Sequence, residues 1–258
     1  MWNGKRFNER LANGQKLIGG WVSFTDPSIA EIMAGNGYDF LIVDMEHGPL
    51  NLTNTQGILM AFRETQCASI LRVPWNEPWM VKHALDIGAD GIMFPFIMDA
   101  EEARKAVAAT RYAPRGNRGF SPRRASQYGA RFDEYFDQLD GGIAVVLQIE
   151  HIDAVNRVEE IASVEGVNCV FVGPADLTAS LGKLPNFSDP EVVAASAKVG
   201  EVCSRLGVPW GVNAGMPAGA LRWAEKGAQF LTCSEDSEIF VMKVQSDIAE
   251  MRAGLKPA

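Results

Sequence analysis

The stretch that decides the fold runs from Ala144-Val145-Val146-Leu147-Gln148-Ile149-Glu150, through Val155 to Ile161, to Cys169-Val170-Phe171-Val172-Gly173-Pro174-Ala175-Asp176. Two runs of β-forming residues flank a helix-forming segment. Neither run alternates apolar with polar residues, so each strand is covered on both faces. That is the signature of a parallel sheet with helices packed outside it. Each run stops on an acid or just before one.

The same unit recurs outward in both directions. Upstream, strands are expected at Leu17 to Phe24, Phe40 to Asp44, Ser69 to Val73 and Gly91 to Phe94. Helices between them are expected at Pro27 to Ala34 (with Asp26 as N-cap), Thr53 to Arg63, Trp79 to Ile87 (ending at Gly88) and Ala100 to Thr110. A turn-rich stretch from Tyr112 to Pro122 precedes a helix from Tyr128 to Leu139. Downstream, a Gly/Pro-containing loop leads to a helix from Glu191 to Leu206. A strand at Val208 to Val212, a helix at Ala218 to Lys226, a strand at Gln229 to Cys233 and a helix from about Ser237 to Met251 complete the pattern.

Eight strand units, each followed by a helix, predict a (β/α)8 TIM barrel spanning residues 1–258 as one domain. The rival is an open doubly wound sheet. No G-x-G-x-x-G follows the first strand, which counts against that rival as a dinucleotide-binding fold.

Composition agrees with a soluble globular protein. The chain has 258 residues, 47% hydrophobic and 22% charged, enough for a large core. A net charge of −8 argues against nucleic-acid or anionic-membrane binding, which need a basic face. Cys67, Cys169, Cys203 and Cys233 form no C-x-x-C pair and read as free thiols in a reducing compartment. Met1 to Arg6 is followed by no apolar signal segment, and no apolar run reaches the roughly 20 residues of a membrane span. A cytoplasmic location is the expectation.

In such a barrel chemistry collects at the C-terminal strand ends. Those ends carry Asp44-Met45-Glu46-His47-Gly48-Pro49, Arg72, Gln148-Ile149-Glu150 and Gly173-Pro174-Ala175-Asp176. Two acids on one rim repel each other unless a cation lies between them. Oxygen ligands without Cys or His favour Mg²⁺ or Mn²⁺, with Co²⁺ or Zn²⁺ as alternatives. A divalent cation can chelate a 2-oxo acid and stabilise its enolate. Arg72 suits a developing oxyanion, and His47 titrates in the range needed to move a proton. The other aldolase strategy needs a Schiff-base lysine. Lys82, Lys105, Lys198 and Lys226 all fall in expected helices or just beyond them.

Five segments, in order, resemble the HpcH/HpaI aldolase family of metal-dependent pyruvate aldolases. They are Asp44-Met45-Glu46-His47-Gly48, Leu71-Arg72-Val73-Pro74, Arg111 to Gly119, Gln148-Ile149-Glu150 and Gly173-Pro174-Ala175-Asp176-Leu177. The resemblance runs from about Gly19 to Val212. It implies a barrel of the phosphoenolpyruvate/pyruvate type that exchanges its last helix between subunits of a homohexamer. It implies Glu150 and Asp176 as metal ligands, and His47, Arg72 and Asp86 as catalytic residues, with Asp86 partnering the histidine. It implies Gln148, Arg72 and the backbone at Ala175 as contacts to pyruvate.

Each residue also has a plainer role. Glu150 and Asp176 would be favoured near the starts of the helices that follow them. Asp44 and Glu46 alternate on one strand face; either supports the site from behind or forms a rim salt bridge, and Asp44 is read as support. His83 reads as structural, and alternation turns His151 away from the direction of Glu150. Arg111, Arg115, Arg118, Arg123 and Arg124 are read either as ion-pairing residues or as a gate that attracts anionic oxo acids. The aromatic-rich tail from Pro74 to Trp79 leaves the aldehyde open.

The expected activity is that of a class II aldolase. It would cleave a 4-hydroxy-2-oxo acid reversibly to pyruvate and an aldehyde, with oxaloacetate decarboxylation as a side reaction. The rivals are an acyl-CoA lyase of malyl-CoA or citramalyl-CoA type and a non-catalytic oxo-acid-binding barrel.

Overall fold

The computed structural model describes residues 2–139 and 141–255. Eight parallel strands close into a barrel in sequence order. They are β1 (Leu17–Val22), β2 (Phe40–Asp44), β3 (Ala68–Arg72), β4 (Gly91–Phe94), β5 (Ala144–Ile149), β6 (Cys169–Val172), β7 (Trp210–Asn213) and β8 (Phe230–Glu235). The helices are α1 (Gly4–Ala12), α2 (Pro27–Gly35), α3 (Leu52–Ala61), α4 (Pro78–Asp86), α5 (Ala100–Thr110), α6 (Phe132–Leu139), α7 (Ile152–Asn156), α8 (Val158–Ala162), α9 (Pro174–Ser180), α10 (Pro190–Leu206), α11 (Pro217–Glu225) and α12 (Asp236–Gly254).

The barrel prediction holds, and β2 and β4 fall on their expected residues. Asp26 caps α2 by accepting from the Ser28 N–H at 2.8 Å. The helix expected from Tyr128 starts at Phe132, and the segment after β5 forms two short helices. Part of the loop expected between β6 and α10 is helical: α9 occupies its first half.

Strand alternation sends one residue set into the barrel and the other toward the helices. Leu41, Val43, Ile92, Leu147 and Val170 pack outward in the larger core. Phe40, Ile42, Ile70, Val146, Phe171 and Phe230 fill the interior. Phe40 and Phe230 stack with ring centres 4.0 Å apart. Gly19 makes this possible, because a Cβ there would meet the Phe40 ring at 2.1 Å. α1 closes the N-terminal mouth: Phe7 packs edge-on against Phe40 and Phe230 at 5.7 and 6.1 Å. The Asn3 N–H anchors α1 by donating to the buried Asp90 carboxylate at 2.7 Å.

With its N-terminal mouth plugged, the barrel presents its chemistry at the other rim. α12 begins at that rim, where Asp236 accepts from the Ser23 N–H and Oγ and the Phe24 N–H. Beyond Asp236 this helix buries no residue, and Phe240, Val244, Ile248 and Met251 are exposed. All four cysteines are free, and burial pushes the Cys203 thiol up to about 12. Among the described residues no helix is long and apolar enough to cross a membrane.

Candidate active site

The parity that fills the barrel with apolar residues brings Asp44 and Arg72, register partners on β2 and β3, to the top interior layer. Arg72 donates Nε and Nη2 to the two Asp44 oxygens at 2.8 and 2.7 Å. Asp44 Oδ1 also accepts from the Glu46 N–H at 3.0 Å and weakly from the His47 N–H at 3.4 Å, which holds the turn after β2. The Arg72 guanidinium lies 4.4 Å over the Trp21 ring. Its Nη1 is 3.1 Å from Glu46 Oε2, an ion-pair contact without hydrogen-bond alignment. Burial opposes the Arg72 charge, but the Asp44 bonds and the Asp44, Glu46 and Glu150 charges outweigh it and raise its pKa.

Across the rim, Glu150 follows β5 and is 2% exposed. One carboxylate oxygen accepts from the Phe96 N–H at 2.7 Å, the other from Gln148 Nε2 at 3.0 Å. Phe96 donates from a left-handed conformation, φ 54°, which is rare for a bulky residue and marks stored strain. The Gly173 N–H donates to the Ile149 carbonyl, bringing Gly173 beside Glu150. A Cβ on Gly173 would lie 2.5 Å from Glu150 Oε2, so the backbone must be bare there. Asp176 then follows in the first turn of α9.

This rim has a surplus of negative charge. Burial raises the Glu150 carboxyl to about 7, with the Glu46 and Asp176 charges adding to the rise. Burial likewise raises Glu46, against the Arg72 and His47 charges. Gln148 Oε1 is buried without a hydrogen-bond partner among the described residues. Among the described residues no group of three or more His, Cys, Asp or Glu forms a closed metal site. Two carboxylates suffice for a hard cation that takes its other ligands from water and substrate. Glu150 and Asp176 fit such an ion, and the unpartnered Gln148 oxygen fits an added polar ligand.

The sequence matches the family model described as HpcH/HpaI aldolase/citrate lyase over residues 17–241. The chain belongs to the HpcH/HpaI aldolase/citrate lyase family. It is similar to a 5-keto-4-deoxy-D-glucarate aldolase of Shigella boydii, 40% identical over 91% of each chain. It is also similar to a solved HpcH/HpaI aldolase/citrate lyase family protein of Burkholderia cenocepacia. That likeness is 38% identity and a TM-score of 0.92 over 96% of this chain and 99% of that one. The solved HpcH/HpaI aldolase of Desulfitobacterium hafniense is 29% identical, with a TM-score of 0.89 over 96% and 98% of the two chains. Aldolase activity, that of a carbon–carbon lyase, follows from these relatives, which sets aside the non-catalytic reading.

Within this HpcH/HpaI chain the structure brings together Asp44, Glu46, His47, Arg72, Gln148, Glu150 and Asp176, all at the C-terminal strand rim. His47 is exposed, with Nε2 3.8 Å from Glu46 Oε2. Asp86 is not brought to it. α4 runs antiparallel to the strands, so Asp86 at its end lies toward the N-terminal face, bonded to Arg118 Nη2 at 2.7 Å. Arg118 also lies 4.6 Å over the Tyr112 ring, and Arg124 donates to the Ile87 and Leu59 carbonyls at 2.6 and 2.9 Å. These two arginines therefore tie the loop after α5 to the barrel's far end, away from the oxo-acid entrance that the gate reading requires.

Glu150 does not cap the helix after it. His151 does so instead, accepting from the Asp153 N–H at 3.2 Å. His83 packs edge-on against Trp79 in α4. Three contributors escaped sequence reasoning. Trp21 carried a usable signal, since it shares the inward parity of Leu17 and Gly19. Asn213 ends β7 at the same height, and its Oδ1 accepts from Trp21 Nε1 at 3.2 Å and Thr232 Oγ1 at 3.1 Å. Phe96 had no signal, because nothing in Pro95-Phe96-Ile97 marks a left-handed residue.

Proposed function

We propose that this chain is a class II aldolase. It cleaves a 4-hydroxy-2-oxo acid to pyruvate and an aldehyde, and runs the reverse addition. The observation that carries this reading is the buried Glu150 carboxylate. It is raised to about 7, faces the Asp176 and Glu46 charges, and has as its charged counterpart an arginine already bound twice by Asp44. The relatives' named substrate, a deoxy oxo sugar acid, belongs to the same chemical class.

Glu150 and Asp176 would hold a divalent cation, Mg²⁺ or Mn²⁺ first by ligand chemistry. When bound, that ion supplies Lewis acidity toward the carbonyl and carboxylate oxygens of the 2-oxo acid. Arg72 Nη1, the arm not bonded to Asp44, turns from Glu46 to the oxyanion that develops as the C–C bond breaks. The Gln148 amide, fixed by Glu150 through one N–H of Nε2, presents the other N–H to the oxygens of the 2-oxo acid. The Ala175 backbone, in the first turn of α9, meets the pyruvate carboxylate. His47 moves the proton at the aldehyde oxygen or at the pyruvate methyl carbon. Asp86 can partner His47 only if a second copy of the chain supplies it, since Arg118 holds it within its own chain.

Exhaustive chelation tests the reading. Cleavage should fall more than 100-fold and return with added Mg²⁺ or Mn²⁺. Activity that survives chelation, or pyruvate trapped on a lysine by borohydride, would defeat it.

A further inference from the structure

Beside Arg72 and His47 the rim opens into a cavity of about 430 Å³. Its outer wall carries Thr25, Asn213 and Glu235, none of which the proposed enolate chemistry uses. The two bonds that Asn213 Oδ1 accepts fix its amide, so the two N–H groups of Nδ2 are left as donors. The exposed Thr25 hydroxyl donates to and accepts from nothing among the described residues. Glu235 accepts from Ser237 Oγ at 2.7 Å through Oε1, leaving acceptor capacity on its carboxylate. Donors and acceptors of this kind match hydroxyl groups.

The charge around the cavity points the same way. Arg72 is its permanently charged lining cation, and its lining acids are Asp44 and Glu235. Arg72 is bound through Nε and Nη2 by Asp44, and its remaining arm Nη1 is the one assigned above to the developing oxyanion, so no arm is left for a carboxylate on the aldehyde. A carboxylate on the aldehyde would meet the Glu235 carboxylate, and neither Thr25 nor Asn213 brings a charge to offset it.

Resting on the aldolase reading above, we propose that the second substrate is an uncharged hydroxyaldehyde, read by Thr25, Asn213 and Glu235. This departs from the relatives, whose named substrate carries a second carboxylate. A site built to bond a hydroxyl discriminates against the analogue that lacks it, because its polar groups are then left unpaired.

The test is pyruvate addition to three aldehydes. Glyceraldehyde is the neutral hydroxyaldehyde. 2-Hydroxy-3-oxopropanoate differs from it only in a carboxylate replacing the terminal CH2OH, and propanal lacks both hydroxyls. The proposal expects kcat/KM for glyceraldehyde to exceed each of the others by tenfold or more. Glu235→Gln should narrow the ratio of glyceraldehyde to the anionic aldehyde at least fivefold. Asn213→Leu should do the same to the ratio of glyceraldehyde to propanal. Ratios within one variant cancel losses from misfolding. A wild-type preference for the anionic aldehyde, or ratios unmoved in both variants, would overturn the proposal. Deuterium exchange at the pyruvate methyl in wild type separates the two levels. Exchange without the expected preference defeats this inference alone, and absence of exchange defeats the aldolase reading with it.

Discussion

Arg72 and Asp44 form a two-point ion pair, Nε to Oδ1 and Nη2 to Oδ2 at 2.8 and 2.7 Å, inside the top of the barrel. The pair aims the guanidinium and leaves Nη1 as its adjustable arm. Asp44→Asn keeps the shape and removes the charge. Breaking one side of a buried pair costs about 3 kcal/mol or more, which denaturant unfolding should show. Oxaloacetate decarboxylation should fall about 100-fold in kcat, because a mispointed donor loses its oxyanion contact.

Gly173→Ala tests the bare backbone beside Glu150. The new Cβ would arrive 2.5 Å from Glu150 Oε2 and push the carboxylate aside. Divalent-metal affinity should drop about tenfold or more while the barrel stays folded. Calorimetric titration with Mn²⁺, beside a thermal melt, reads both quantities.

The raised Glu150 pKa gives a signed pH dependence. Unfolded, the group titrates at about 4.3; folded and metal-free, at about 7. Between these values the folded state holds a proton that the unfolded state has lost. Stability from this group is therefore greatest below pH 4, falls as pH rises to about 7, and is flat above. The loss is on the order of 3 kcal/mol. Melting metal-free wild type and Glu150→Gln at pH 5 and pH 8 isolates it: the drop in Tm between the two should be smaller in the variant.

α12 leaves Phe240, Val244, Ile248 and Met251 exposed, a band of apolar side chains without cover among the described residues. The hexamer with an exchanged last helix, implied by family resemblance, would cover it. Phe240→Glu with Ile248→Glu should shift the sedimenting species to a smaller assembly. Unchanged sedimentation would place the subunit contact elsewhere.

The barrel was legible because a buried parallel strand leaves a continuous apolar run, as in Phe40 to Asp44 and Gly91 to Phe94. α1 was not, since Phe7 and Leu11, two residues four apart, are the only large side chains it buries. Its plugging role depends on Phe40 and Phe230, which are remote in sequence. The rim acids were visible as acids at the ends of apolar runs. Their partners were not: the Phe96 N–H reaches Glu150 through a conformation that its sequence does not announce. Asp86 matched a motif, but a motif does not specify which face of a barrel a helix end occupies.

Under the proposed function, Glu150 and Asp176 together would hold the divalent cation. Mn²⁺ binding by wild type, Glu150→Gln and Asp176→Asn, followed by electron paramagnetic resonance on metal-free protein, tests it most directly. One tight site per chain is expected in wild type, with at least a 100-fold loss of affinity in each variant. Wild-type affinity in both variants would contradict it.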